Sequence, residues 1–216
     1  MMQNYAHIAF TDEVKRLQTE YGSRNAYARR EAELGANGLS EAEAAFISEQ
    51  DSFYFATQSE SGFPYIQHRG GPKGFLKVIT PTTLGFTDFR GNKQYITVGN
   101  LATNTKASLF MMDYAQRIRL KIFAEARIIP IAEAEKSEPE LVRLLAPDDY
   151  AHHAERLIVL DIQAIDWNCS QHITPRYTAE QVAKAWEKES RYIASLEAEI
   201  RYLKEQLANT HYSPKL

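Results

Sequence analysis

The sequence predicts a mainly β, α+β fold: a small antiparallel barrel with helices inserted or flanking, followed by a long heptad helix. Two observations carry this expectation. From Phe53 onward the apolar residues fall in short runs broken by turn residues, the pattern of successive hairpins. From Thr178 the period lengthens, and residues 178–208 hold neither Gly nor Pro. The chain therefore divides into an N-terminal helical segment (1–50), a barrel (51–175) and a coiled-coil-like helix (178–208).

In chain order, Thr11 and Asp12 offer an N-cap before Val14, Leu17 and Tyr21 at helical spacing. Gly35 and Gly38 interrupt that pattern, and Ser40 with Glu43 then forms a capping-box pair ahead of AAFISEQ. FYFATQ and FPYIQHR flank the turn SESG, and KGFLKVITP and TLGFTDF flank the turn at Pro81. ASLFMMDY and RIRLKIFAEARIIPI supply two more strands, the second alternating Ile118, Leu120 and Ile122 against Arg119 and Lys121. AEAEKSEPELVRLLAP reads as one short helical excursion, and LIVLDIQAIDWN as a last long strand. In the tail, Val182, Trp186, Ile193, Leu196, Ile200, Leu203 and Leu207 recur at alternating steps of three and four, with Glu189 the polar interruption. That is a heptad seam, which suits pairing with a partner helix in a homodimer. A long helix lying on its own barrel is the other reading.

A net charge of -3 with 25% charged residues gives no reason to expect nucleic acid or a membrane surface as partner. No run of 18 apolar residues is present and MMQNYAHIAF lacks a signal-peptide layout, so the expectation is a cytoplasmic protein. The single cysteine, Cys169, suits that reducing compartment. Metal-ligand spacing is missing: His152 and His153 are adjacent and diverge, and Cys169 with His172 has no second pair. There is no Gly-x-Ser-x-Gly elbow, no P-loop and no G-x-G-x-x-G after a strand.

One segment asks for a ligand. FTDFRGNKQY places Arg90, Gly91, Asn92 and Lys93 directly after an apolar strand and before a short helix. Arginine forks match phosphate oxygens, lysine adds a compact charge, and Asn92, Thr87 and backbone N–H groups beside Gly91 and at the helix start add donors. Gln67, His68 and Arg69 end another strand, and Arg117, Arg119 and Lys121 line a third. Together they form either a site for a phosphorylated heterocycle or a set of solvated turns; spacing leaves both open.

The succession DSFYFATQSESGFPYIQHRGG, TLGFTDFRGNKQYITVGNLATNTKASLFMMD and RIRLKIFAEARI, over residues 45–170, resembles the pyridoxamine 5'-phosphate oxidase-like family of FMN-binding split barrels, most closely the branch with FRGNKQY-x3-GNL. The resemblance implies an antiparallel split β-barrel, a homodimer with two FMN sites at the subunit interface, and flavin-dependent oxidoreduction of a small-molecule substrate. It also implies roles for particular residues. Phe86 and Thr87 match an aromatic-Thr pair whose Thr approaches the flavin, and Lys93 matches a phosphate-binding lysine. Asn92 stands where the oxidases proper have arginine, with Arg90 as its substitute. Gln67 replaces another arginine, with His68 or Arg69 compensating, and Arg119 falls about where the family places a Gln near the ring or phosphate. The R-x-H substrate segment of the true oxidases has no counterpart, so the resemblance points to FMN binding rather than to vitamin B6 oxidation. No general acid or base stands out. Two other functions stay open: a module holding FMN, a deazaflavin or haem (through His68 or His211) without turnover, and an interaction protein acting through its coiled coil.

Overall fold

The structure is a computed structural model that describes residues 2–146, 153–168 and 171–210. The chain forms two compact units, Met1–Ile173 and Thr174–Leu216. The first begins with four short helices, α1 (Tyr5–Ala9), α2 (Asp12–Glu20), α3 (Arg24–Glu31) and α4 (Glu41–Ser48). The strands are β1 (Ser52–Gln58), β2 (Pro64–Gly70), β3 (Lys77–Thr80), β4 (Thr83–Phe89), β5 (Lys106–Asp113), β6 (Ile118–Pro130) and β7 (Ala154–Asn168). Helix α5 (Ile96–Thr103) links β4 to β5, and α6 (Ile131–Ser137) and α7 (Pro139–Leu145) link β6 to β7.

All seven strands form one sheet in the order β2-β1-β5-β6-β7-β4-β3, and every neighbouring pair is antiparallel. The sheet curls around a main core built largely from β1, β4, β5, β6 and β7, a smaller cluster packs α6 and α7 against β6 and β7, and the two edge strands, β2 and β3, are not hydrogen-bonded to each other. The barrel is split. At its centre Phe53 packs edge-on to Phe86 (centroids 5.3 Å apart) and stacked on Phe75 (5.4 Å). Each such ring contributes about 1.5–3 kcal/mol by leaving water.

Local chemistry explains the flanking helices. The Thr11 hydroxyl accepts from Val14 N–H at the start of α2. At α4 the Ser40 and Glu43 side chains each accept from the other's backbone N–H. The Glu43 carboxylate also accepts from Trp167 Nε1–H at 2.7 Å, and Phe46 meets the Trp167 ring edge-on, so the cap fastens α4 to the end of β7. Residues 131–145 form two helices rather than one. Pro139 has no N–H to continue the first, and Glu138 leaves helical geometry at φ -138°, which lets the proline open α7 at its first turn.

Strand β4 is buried on both faces. Leu84, Phe86 and Asp88 point into the barrel, whereas Gly85 and Thr87 face α7: a Cβ on Gly85 would lie 2.9 Å from Leu145 Cδ1. This alternation decides much of the site.

The second unit comprises α8 (Ala179–Ala185) and α9 (Glu187–Thr210). Thr178 and Gln181 form a capping box at the start of α8. The helices meet at Trp186, whose N–H donates to Val182 O and whose carbonyl accepts from Ser190 N–H, so the hydrogen-bond ladder runs on through the junction. Among the described residues no helix is long and apolar enough to cross a membrane.

Candidate functional site

The turn after β4 is held from both sides. Arg90 N–H donates to His153 O at 2.9 Å, and the Asn92 carboxamide accepts from Gln94 N–H at 3.1 Å. Between them the backbone is strained: Lys93 (φ 60°) and Tyr95 (φ 53°) both lie in the left-handed region that side chains disfavour. Two such residues within three positions cost about 1–3 kcal/mol each, and cost of that kind concentrates at ligand sites. Gly91 is not left-handed, and a Cβ there would meet nothing within 4 Å. The glycine therefore leaves open space at the turn and is not required by its backbone.

Helix α5 fixes the far side. Its Asn100 Nδ2–H donates to Thr57 Oγ1 on β1, and Thr97 Oγ1–H donates to Gln67 Oε1 on β2. Both bonds tie the helix that follows the turn to the edge of the barrel.

The inner face of β2 completes the recess. Its register pairs Gln67 with Phe55 and Arg69 with Phe53, which places both on the core side of the sheet. Edge strand β2 has no further neighbour, and here the aromatic interior gives way to Tyr65, Gln67 and Arg69. Arg69 Nη1–H donates to Asp88 Oδ1 at 2.5 Å across the split, and its guanidinium lies 5.9 Å from the Phe86 centroid. The other Asp88 oxygen accepts from Arg156 Nη1 at 2.8 Å, and Arg156 Nη2 reaches Glu155 at 2.7 Å. Arg90 Nε lies 3.5 Å from the second Glu155 oxygen, and the Arg156 guanidinium sits 5.2 Å from the Tyr95 ring. Asp88 is only 5% exposed. A carboxylate so buried is tolerable because two arginines compensate it.

The balance of charge is uneven. Among the described residues, the recess lining sets Arg69, Lys93 and Arg156 against Asp88 and Glu155, and Arg90, outside that lining beside Glu155, brings the positive surplus to two. Among the described residues, the buried side-chain polar atom with no hydrogen-bond partner is Arg69 Nε. A donor stranded in this way costs about 1–3 kcal/mol unless a ligand meets it. A phosphate monoester carries about -1.5 to -2 charges and three acceptor oxygens, which matches both the surplus and the spare donors. The recess is small, about 60 Å3. Pockets for whole ligands run to about 300–1,000 Å3, so this one admits the phosphate end and leaves a ring outside.

A larger cavity of about 600 Å3 lies between the N-terminal helices and the β6–β7 ends. Its charges already balance, Lys121 and Arg30 against Asp166 and Glu33, and Lys121 is bound to Asp166 at 2.8 Å. Burial is the largest single influence and works against the Lys121 charge, but Asp166 and Tyr5 together outweigh it and hold the ammonium above its ordinary range. That cavity offers no anion an advantage.

The structure thus brings together Gln67, Arg69, Asn92 and Lys93 of the residues singled out in the sequence, with Arg90 mostly exposed beside the recess and reaching Glu155. It separates the others. His68 points to the opposite face of β2 and packs edge-on to Tyr54, because neighbouring strand residues alternate; only Arg69 can stand in for the arginine that Gln67 replaces. Phe86 is 1% exposed inside the aromatic core, and the Thr87 hydroxyl, on the α7 side, donates to Leu145 O at 2.8 Å instead of into the recess. Arg119 sits at the start of β6 opposite Asn168, whereas Pro130, eleven residues on, pairs with Arg156. That is about 35 Å along the strand, so within one protomer Arg119 does not line the recess. His211 lies outside the described residues. Asp88, Glu155 and Arg156 were not anticipated. Asp88 was legible, since a carboxylate in step with Leu84 and Phe86 has to meet cations; Arg156, 68 residues away, is brought there only by the β4–β7 register.

Comparison with known proteins fits this architecture. The profile of the pyridoxamine 5'-phosphate oxidase family matches residues 39–169, more than half of the chain. No curated protein matches the sequence significantly. Similar solved structures include an FMN-binding protein from Syntrophomonas wolfei, at 18% identity and a TM-score of 0.44, covering 71% of this chain and 97% of that one. HupZ of Group A Streptococcus aligns at 12% identity and a TM-score of 0.45, over 64% of this chain and 100% of that one. A protein related to general stress protein 26 from Clostridium acetobutylicum aligns at 15% identity and a TM-score of 0.39, covering 65% and 95%. Likenesses this distant say nothing of activity.

Proposed function

Because the chain belongs to the pyridoxamine 5'-phosphate oxidase family, we propose that it binds FMN at the recess behind Gly91 and acts as a flavin-dependent oxidoreductase. The observation that carries this reading is that, among the described residues, two positive charges are in surplus and Arg69 Nε has no hydrogen-bond partner, close to a strained turn. Arg90 and Lys93 hold the phosphate from the turn, Asn92 orders the loop beside it, and the first N–H groups of α5 add donors. Arg69 reaches it from the barrel side. Asp88 and Glu155 position the arginines and keep each fork aimed. Bound FMN supplies hydride and electron transfer; the protein supplies orientation. Since the recess takes only the phosphate end, the ring lies outside it, where a second subunit can cover it. Arg119, excluded from its own protomer's recess, is suited to approach from such a partner.

Titrating the purified protein with FMN, followed by visible absorption and flavin fluorescence, tests this directly. Charge-assisted hydrogen bonds contribute about 1.5–3 kcal/mol each, so the double variant Arg90→Ala, Lys93→Ala should bind FMN about a hundredfold more weakly while keeping its fold. Unchanged affinity in the double variant would remove the phosphate assignment. A Soret band in the native protein would favour haem, and mass spectrometry of the released cofactor separates FMN from a deazaflavin.

A further inference from the structure

The apolar stripe of α9 is exposed, with Ile193, Leu196, Ile200, Leu203 and Leu207 between 38% and 63% exposed. A stripe of large aliphatic side chains left in water is costly, and its residue types say what covers it. With Trp186, Ile193, Ile200 and Leu207 at heptad position a, position d is taken by Val182, Glu189, Leu196 and Leu203. The two central layers therefore carry Ile at a and Leu at d, the combination whose packing favours two parallel strands over three or four.

The flanking charges agree. In a parallel pair in register, each g residue faces the e residue of the next heptad on the partner. Glu199 occupies g and Lys204 the following e, so the dimer gains a Glu199–Lys204 attraction on both sides of the seam. Within its own helix Arg191 is occupied by Glu187, one turn earlier and away from the seam. Glu189 is the weak layer, where two carboxylates would meet. The firm part of the zipper is therefore the stretch from Ile193 to Leu207.

From residue type and charge together, we propose that the tail is a parallel, in-register, two-stranded coiled coil whose occupant is a second copy of the same chain. This is independent of the flavin reading: it sets the direction of the two copies, and no cofactor enters it.

Cysteine scanning in the full-length chain tests it, after Cys169→Ser removes the native thiol. Ile193→Cys and Leu203→Cys, made separately, should each form a covalent dimer under mild oxidation, because equivalent core positions face each other only in a parallel, in-register pair. Ala198→Cys, at outward position f, should stay uncrosslinked. In the Ile193→Cys background, Glu199→Lys should slow crosslinking about fivefold and adding Lys204→Glu should restore it, as expected for two exposed pairs turned repulsive. Failure of either core variant to crosslink with itself overturns the proposal. So does a disulfide formed between the Ile193→Cys and Leu203→Cys chains when mixed, or equal crosslinking at Ala198→Cys.

Discussion

At the scale of single residues, Asp88 holds the site in shape. It is the carboxylate shared by Arg69 and Arg156, and removing it leaves two arginines facing each other across the split. Breaking a buried pair by deleting one partner costs about 3–5 kcal/mol, and Asp88→Ala should lower the melting temperature by about 10 °C. Differential scanning fluorimetry reads this. Inorganic phosphate should raise the melting point of the variant more than that of the native protein, because it replaces the missing anion. Gly91→Ala makes the opposite split. Its Cβ meets nothing in the fold, so stability should hold, whereas a phosphate drawn against that backbone would be pushed outward and FMN affinity should fall about tenfold. A Gly91→Ala chain that binds as tightly as the native one would place the phosphate elsewhere. The same scale shows where sequence reading reaches. Strand parity alone separates Gln67 and Arg69 from His68, and Asp88 from Thr87. The pairing of Asp88 with Arg156 needed the register of two strands distant in sequence.

At the scale of elements, caps were the most legible features, since each is written in adjacent residues: Thr11 for α2 and Ser40 with Glu43 for α4. What local pattern missed is where local pattern is ambiguous. Pro139 stops one helix and starts another with the same ring, and Trp186 marks a junction the hydrogen-bond ladder conceals. The N-terminal helices also carry a pH response. Lys15 and Arg24 beside Glu31 hold its carboxyl down at about 2, tying α2 and α3 together. Burial pulls Glu43 upward, but its bonds with Ser40 and Trp167 pull harder, and it too ends below the ordinary range. A carboxyl depressed on folding contributes stability that is present above its unfolded value and is lost as pH falls through the folded one. These helices should therefore loosen between about pH 4.5 and pH 2, with no corresponding loss above neutrality. In a Trp186→Phe background, emission from Trp167 should report the α4 end of that change, and a flat signal through this window would deny that the Glu43 cap fastens α4 to β7.

At the scale of the whole molecule, the chain divides into two compact units whose contributions can be measured separately. Every charged group of the recess lies within Met1–Ile173, as does the aromatic core, so a chain cut after Ile173 should fold and melt within a few degrees of the full barrel transition. The split barrel was foreseeable as a class, because hairpin patterning and turn residues recur along residues 53–168. The closing order of its strands was not, because β4 pairs with β7 and β1 with β5 across long separations that no local pattern encodes. If the flavin ring is covered by a second barrel, the tail acts as a tether that raises the local concentration of that barrel to about the millimolar range. Full-length protein should then bind FMN with one affinity over a wide range of dilution. The truncated barrel should match it at high protein concentration and weaken progressively as it is diluted, because each site loses its covering subunit. Equilibrium titrations at several protein concentrations, with mass measured by light scattering in parallel, read both quantities at once. A truncated barrel that stays monomeric and binds FMN as tightly as the full chain at every dilution would mean that one subunit builds the site alone, and that coverage across an interface plays no part in holding the cofactor.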